Sequence, residues 1–178
     1  VSRAANGLAV FRQKFGTFWH LPGQEKVWLL CLFLYSGVVR LALLILPFRW
    51  LAPLLGVHHK NHQLSPLVAQ PMLHAASRIG RIVEIATRYT PWESKCLVQA
   101  ILVRTMFACY KIPYVLHLGT VLTRGEKRSM KGHAWVKVGP RIVIGRKGHF
   151  QYAVVSSFVS PLVVSAENSP HQAMIEGR

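Results

Sequence analysis

The sequence predicts an α+β fold, with helices first and an antiparallel sheet afterwards. Two observations carry that reading. Up to about Tyr110 the apolar residues recur at helical spacing or run without a break. After Ile112-Pro113 the pattern changes to short β-type runs separated by glycine-containing and basic turns. Helices followed by strands that neighbour in sequence give α+β rather than a parallel α/β sheet.

The elements follow in order. Residues 1–20 are basic and aromatic, with Arg3, Phe11, Arg12, Lys14, Phe15, Phe18 and Trp19. They do not read as a secretory signal, because the apolar block comes too late and no small-residue cleavage site follows it. Leu21-Pro22-Gly23 breaks the chain before a helix. Residues 25–55 are the most apolar part: Val27 to Val39 carries no charge, Arg40 intervenes, and Leu41 to Phe48 continues. The uncharged run of 13 residues is shorter than the ~20 a spanning helix needs. Counting through Arg40 restores spanning length, and an arginine at depth costs roughly 2.5–3.5 kcal/mol on insertion scales. The stretch reads as a helical hairpin docked on the rest of the protein, with peripheral membrane association as the alternative. Pro47 interrupts it, and Phe48 to Gly56 forms a short second helix closed by glycine.

Residues 57–72 read as a polar linker in which His58, His59 and His62 are solvated. No H-E-x-x-H or Cys/His array appears among the nine histidines, so no metal is expected. A helix of about Met72 to Tyr89 follows, apolar at Ile79, Ile82, Val83, Ile85 and Ala86 and basic at Arg78, Arg81 and Arg88. The next helix, to about Tyr110, is apolar on nearly every side and so belongs in the centre of the fold. Strands are expected over Tyr114 to Leu122, His133 to Val138, Arg141 to Ile144 and Phe150 to Val159, with a basic loop from Thr123 to Lys131. The chain divides into an apolar helical region, 1–75, a core, 76–164, and a frayed tail, 165–178. The last four residues, Ile175-Glu176-Gly177-Arg178, match a protease site used in expression vectors and carry no weight in the fold reading.

The chemistry centres on Thr90-Pro91-Trp92-Glu93-Ser94-Lys95-Cys96. Thr90 and Glu93 have capping-box spacing and Pro91 suits a first helical position, which puts Cys96 in the opening turns of the central helix. Unpaired backbone N–H groups and the positive dipole end there favour a thiolate. Gly132-His133-Ala134-Trp135-Val136 places a histidine at the head of a strand. A cysteine on a helix and a histidine on a following strand is a layout for thiol catalysis. Cys96 would be the nucleophile and His133 its base, with Trp92 and Trp135 either walling the cleft or packing. Cys31, Cys96 and Cys109 are an odd set without metal or CxxC spacing, which points to a reducing, cytoplasmic setting. Cys109 reads as core packing.

The net charge of +16 comes from 22 basic and six acidic residues, all of them glutamate. It suits an anionic partner or serves the solubility of a fold whose mean hydropathy is +0.28. No helix-turn-helix, zinc or RNA-recognition signature accompanies it, so nucleic acid is not the expected partner.

Together, Arg88 to Leu97 and Gly132 to Val136 resemble the stand-alone leader peptidases of lasso-peptide biosynthesis, within the transglutaminase-like, papain-type cysteine protease superfamily. Leu21 to Lys26, Leu46 to Leu51, Gly119, Gly145 and Phe150 to Val155 fit the same pattern, so the resemblance covers roughly residues 18–160. It implies a transglutaminase-like or papain-like core, no cofactor, and removal of a leader from a ribosomally made precursor peptide. An ATP-dependent lasso cyclase then closes the ring on the freed amine. It also implies a separate leader-recognition protein as partner, since residues 1–75 lack the strand-and-helix alternation of a fused module. One departure stands out. The family places a carboxylate after the histidine motif to orient the imidazole, and Pro140 to Gly148 holds Arg141, Arg146 and Lys147 but no acid. A neutral acceptor is expected instead: a backbone carbonyl of Arg141 to Gly145, or the Gln151 side chain. Restoring an acid at Pro140 or Gly145 would then raise activity. The alternatives are a catalytically impaired scaffold that presents precursor to the cyclase, and an amidase or acyltransferase of the same superfamily.

Overall fold

The computed structural model describes residues 23–59, 65–88, 90, 96–123 and 129–167. It is a mixed fold of helices and one antiparallel sheet. Helix α1 spans Gly23–Ile45, α2 Phe48–Leu55, α3 Gln70–Arg88, α4 Cys96–Cys109 and α5 Pro161–Glu167. The strands are β1 Val57–His59, β2 Val115–Thr123, β3 Ser129–Val138, β4 Arg141–Ile144 and β5 Ala153–Val159. They form one sheet in the order β1-β5-β2-β3-β4, every neighbouring pair antiparallel.

Helix α4 sits where its composition requires. Val98, Leu102, Val103 and Phe107 are fully buried, each stabilising by about 1.5–3 kcal/mol on transfer from water. It packs on β3 and β4 and is flanked by α1 and α3. After the helix ends at Cys109, the positive φ of Lys111 lets the Ile112 N–H bond back to the Phe107 carbonyl at 2.9 Å. Helix α3 turns Leu73, Ala76, Ile79, Val83 and Ala86 inward and leaves Arg78, Arg81 and Arg88 exposed. Helix α1 joins the same core through Leu29, Leu32 and Val39. Its Tyr35 hydroxyl meets the Thr105 hydroxyl of α4 at 3.2 Å.

Strand alternation separates two faces. Leu116 on β2, with Ala134, Val136 and Val138 on β3, belongs to the core shared with the helices. His117, His133 and Trp135 alternate with them and take the other face.

The sequence placed some boundaries differently. Val57–His59 is not linker but an edge strand paired with β5, Val57 opposite Val159. Three residues carry no period, and only the neighbouring edge of β5 makes them a strand. Helix α3 begins at Gln70, with Pro71 inside its first turn where a missing N–H costs nothing. Strand β3 begins at Ser129, in the expected basic loop, because β2 extends to Thr123 and pairs with it there. Phe150 and Gln151 lie in a 3₁₀ turn, His149–Gln151, and the strand starts at Ala153. Helix α5 carries order to Glu167, past the expected start of the tail. The expectations for His62, the capping box at Glu93, and Trp92 lie outside the described residues.

Tyr114 ties the helical layer to the sheet. Its buried hydroxyl donates to the Leu55 carbonyl at 2.9 Å and accepts from Arg104 Nε at 3.2 Å. Burial pushes the phenol above its ordinary value of 10.0, while the Arg104 guanidinium pulls the other way. The raised folded-state value means that this stabilisation is complete below about pH 10 and is lost as pH rises beyond it. Tyr114→Phe should lower the unfolding free energy in urea by about 1–3 kcal/mol at neutral pH, because the Leu55 carbonyl loses its donor. The variant should also lose part of the alkaline sensitivity. Identical urea curves for both proteins from neutral to alkaline pH would contradict this.

Candidate active site

Cys96 is the first residue of α4, half-buried and packed against the hydrophobic core. It is the first described residue of the helix, and the residues just before it lie outside the described ones. His133 is half-buried on β3, the strand on which α4 packs. The two elements are in direct contact, but strand alternation turns the His133 ring to the face of the sheet opposite the one on which α4 packs. Among the described residues no hydrogen bond joins the Cys96 thiol to the His133 ring.

The His133 ring is held on three sides. Trp135 stacks beside it, ring centroids 5.9 Å apart, and Tyr152 approaches to 4.9 Å. Nε2 lies 2.8 Å from the Gly145 carbonyl oxygen. A carbonyl can only accept, so Nε2 must carry the proton and Nδ1 keeps its lone pair in the neutral ring. That is the tautomer a base facing a thiol needs. The acceptor is one of the neutral groups expected from the sequence, a backbone carbonyl at the end of the Arg141 to Gly145 stretch. Gln151, the other, is exposed and makes no hydrogen bond to His133 among the described residues.

Two glycines make room for this arrangement. Gly145 has φ +73°, and a Cβ there would lie 2.3 Å from the Ala134 carbonyl oxygen and 2.9 Å from Trp135 Cα. Both contacts are with backbone and cannot yield cheaply. Gly119 faces His133 across the β2–β3 ladder. A Cβ there would meet the Trp135 ring at 2.8 Å and Tyr152 Cβ at 2.9 Å. Its bare backbone gives those two rings the space from which they flank the imidazole.

These contacts correct the rescue expected from the sequence. Gly145→Asp would force its Cβ into β3 backbone and displace the carbonyl it was meant to replace. Pro140 lies in the turn between β3 and β4, seven residues along from His133, where an acid cannot reach the ring. Neither variant restores an orienting carboxylate.

Trp135 is only 4% exposed, and its ring lies 5.5 Å from His117 and 6.0 Å from His149. It offers little surface to a ligand and supports the His133 ring by packing. Trp92 lies outside the described residues. Cys109 is exposed at the far end of α4, not packed in the core as the sequence suggested. The helix reverses immediately after it, so that side chain has no element to pack against. Cys31 is also exposed, and no disulfide forms among the three. Among the described residues no group of histidines, cysteines and acids could hold a metal. Beside β4 lies an open depression of about 290 Å³ lined by Pro140, Arg141, Ile142, Arg146 and His149, with neither Cys96 nor His133 in its wall.

Sequence reading missed Tyr152 as a neighbour of His133. Its position, 19 residues on, gives no periodic signal; only the return of β5 alongside β2 brings it there. The hydrogen bond predicts a spectroscopic result. In histidine ¹⁵N spectra at a pH where the ring is neutral, His133 should show a protonated Nε2 and a bare Nδ1. Gly145→Ala should abolish that preference. A wild-type ring with its proton on Nδ1 would contradict the geometry.

A sequence model described as the Transglutaminase-like superfamily matches residues 42–157. No curated protein and no solved structure matches the chain. The matched span is roughly two thirds of the sequence and contains Cys96, His133, Trp135 and Gly145. The antiparallel sheet and the buried helix headed by Cys96 are the frame on which that match lies, and the chain belongs to the transglutaminase-like superfamily.

Proposed function

We propose that the protein is a cysteine peptidase that removes the leader from a ribosomally made lasso-peptide precursor before ring closure. The superfamily includes cysteine peptidases. The observation that carries the reading is the His133 ring, fixed through Nε2 by the Gly145 carbonyl in the tautomer that leaves Nδ1 free to act as a base. The motifs around Cys96 and His133 are the ones that resemble the leader peptidases.

Catalysis runs as acyl transfer. Cys96 Sγ attacks the scissile carbonyl, and Nδ1 of His133 takes the thiol proton. In this reading the Cys96 backbone N–H donates to the developing oxyanion. The tetrahedral intermediate collapses, the C–N bond breaks, and the imidazolium gives its proton to the leaving amine. That amine is the N-terminus of the released core peptide, on which an ATP-dependent cyclase acts. Water, deprotonated by His133, then hydrolyses the leader thioester and frees the thiol. The first step needs the thiol and Nδ1 within hydrogen-bond reach, and from the two sides of β3 that takes a shift of the strand end or of the start of α4 when substrate binds. A backbone carbonyl supports the imidazolium less than a carboxylate would, so turnover should be slow.

A separate leader-recognition protein delivers the precursor. The basic surface, with Arg78, Arg81 and Arg88 on α3, suits an acidic leader or partner. Lys127 and Arg128, the other candidates, lie outside the described residues.

A second reading, a catalytically impaired scaffold that presents precursor to the cyclase, is favoured by two observations: among the described residues no carboxylate stands at the His133 ring, and no hydrogen bond joins thiol and ring. Cleavage assays with precursor and recognition protein, read by mass spectrometry, separate the two. Cys96→Ala and His133→Ala should each lower the rate roughly 10³-fold or more. Cys109→Ala and Glu84→Gln should cleave as wild type does. Cleavage by Cys96→Ala at the wild-type rate would end the peptidase reading. A wild-type protein that is inert toward precursor yet stimulates ring closure would establish the scaffold.

A further inference from the structure

Helix α1 has one face too many. Leu29, Leu32, Ser36 and Val39 are buried against α3 and α4. On the opposite side Val27, Leu30, Leu34, Val38, Leu41 and Ile45 are each 57–68% exposed. Their spacing of three and four residues sets them on one stripe about 100° wide. The stripe runs the length of the helix, about 27 Å at 1.5 Å per residue. Helix α2, which follows directly in the chain, exposes Phe48, Trp50 and Leu54 in turn, and Arg49 beside them is exposed too. Continuous apolar surface of this extent marks a contact with another apolar phase.

Among the described residues α1 is the helix long and apolar enough to cross a membrane, yet its inner face is committed to the protein. The Tyr35–Thr105 hydroxyl contact and the Trp28–Tyr110 ring contact tie it to α4 and the turn after it. Spanning would carry α3 and α4, and with α3 the charges of Arg78, Arg81 and Arg88, into hydrocarbon. The charge of +16 decides between the remaining occupants. Two copies meeting stripe to stripe would oppose like fields. A bilayer with anionic headgroups supplies the apolar phase and the opposite charge together.

We infer that the outer face of α1 and α2 lies in the surface of an anionic lipid bilayer, parallel to its plane, and holds the protein there without spanning it. Trp50 and Phe48 are the interfacial aromatics and Arg49 a headgroup contact. The attachment is independent of the peptidase reading, because the stripe lies on the side of α1 turned away from α4.

The test is flotation of the full chain with vesicles of phosphatidylcholine alone and with about 30 mol% phosphatidylglycerol. The protein should float with the anionic vesicles and bind the neutral ones about tenfold or more weakly. Alkaline carbonate should release it. Leu34→Glu and Leu41→Glu, at exposed positions that do not enter the core, should each weaken binding about tenfold or more. Leu67→Glu, at an exposed leucine off the stripe, should float as wild type does. No flotation with anionic vesicles, equal binding to neutral ones, carbonate resistance, or stripe variants that bind normally would each overturn the inference. So would a concentration-dependent dimer abolished by Leu34→Glu. The wild-type comparison of vesicles and carbonate decides the matter even if a variant fails to fold.

Discussion

Helix α4 has apolar side chains on every side, and a helix of that kind must be enclosed. The rest of the chain is arranged to enclose it. The sheet supplies one wall through β3 and β4, α3 a second and α1 a third. Val98, Leu102, Val103 and Phe107 leave water completely, and their combined transfer free energy exceeds that of any single polar contact in the fold. One consequence is positional. A helix gripped along its length presents its first residue, Cys96, at a fixed place beside β3. The location of Cys96 follows from core packing rather than from a local loop.

The histidine is set by a different economy. The chain has no aspartate, and no acid lies between Pro140 and Gly148. The main chain serves instead: Gly145, in a left-handed conformation open to glycine, aims its carbonyl at His133 Nε2. A carbonyl fixes the tautomer as firmly as a carboxylate does, but it carries no full charge to stabilise the imidazolium. Orientation is kept while electrostatic support is reduced. Trp135 and Tyr152 take over the remaining task of holding the ring, in space that Gly119 leaves free.

Much of this was legible in the sequence because it is local. The apolar run Leu97 to Phe107 announces a buried helix. Arg141-Ile142-Val143-Ile144 between two glycine-containing turns announces a strand, and the structure begins and ends it at the same residues. The absence of an acid from Pro140 to Gly148 already pointed to a neutral partner for His133. What stayed hidden depends on the return of the chain through space. The pairing of Val57–His59 with β5, the approach of Tyr152 and the steric closure around Gly145 arise from registers that no window of sequence encodes. The exposed stripe of α1 was half legible. Its apolarity was evident, but only the packed structure shows which side faces α3 and α4 and which side is open.

The proposed reaction stands or falls on one chemical step: as the peptide bond breaks, the leader acyl group passes to Cys96 in a thioester bond. Acid quenching of a reaction with precursor and recognition protein, followed by digestion and mass spectrometry, observes that bond directly. The account predicts the leader joined as a thioester to the fragment of residues 96–104, and to neither of the fragments that hold Cys31 and Cys109. Leader release without any such adduct, or an adduct on either of the other two cysteines, would contradict it.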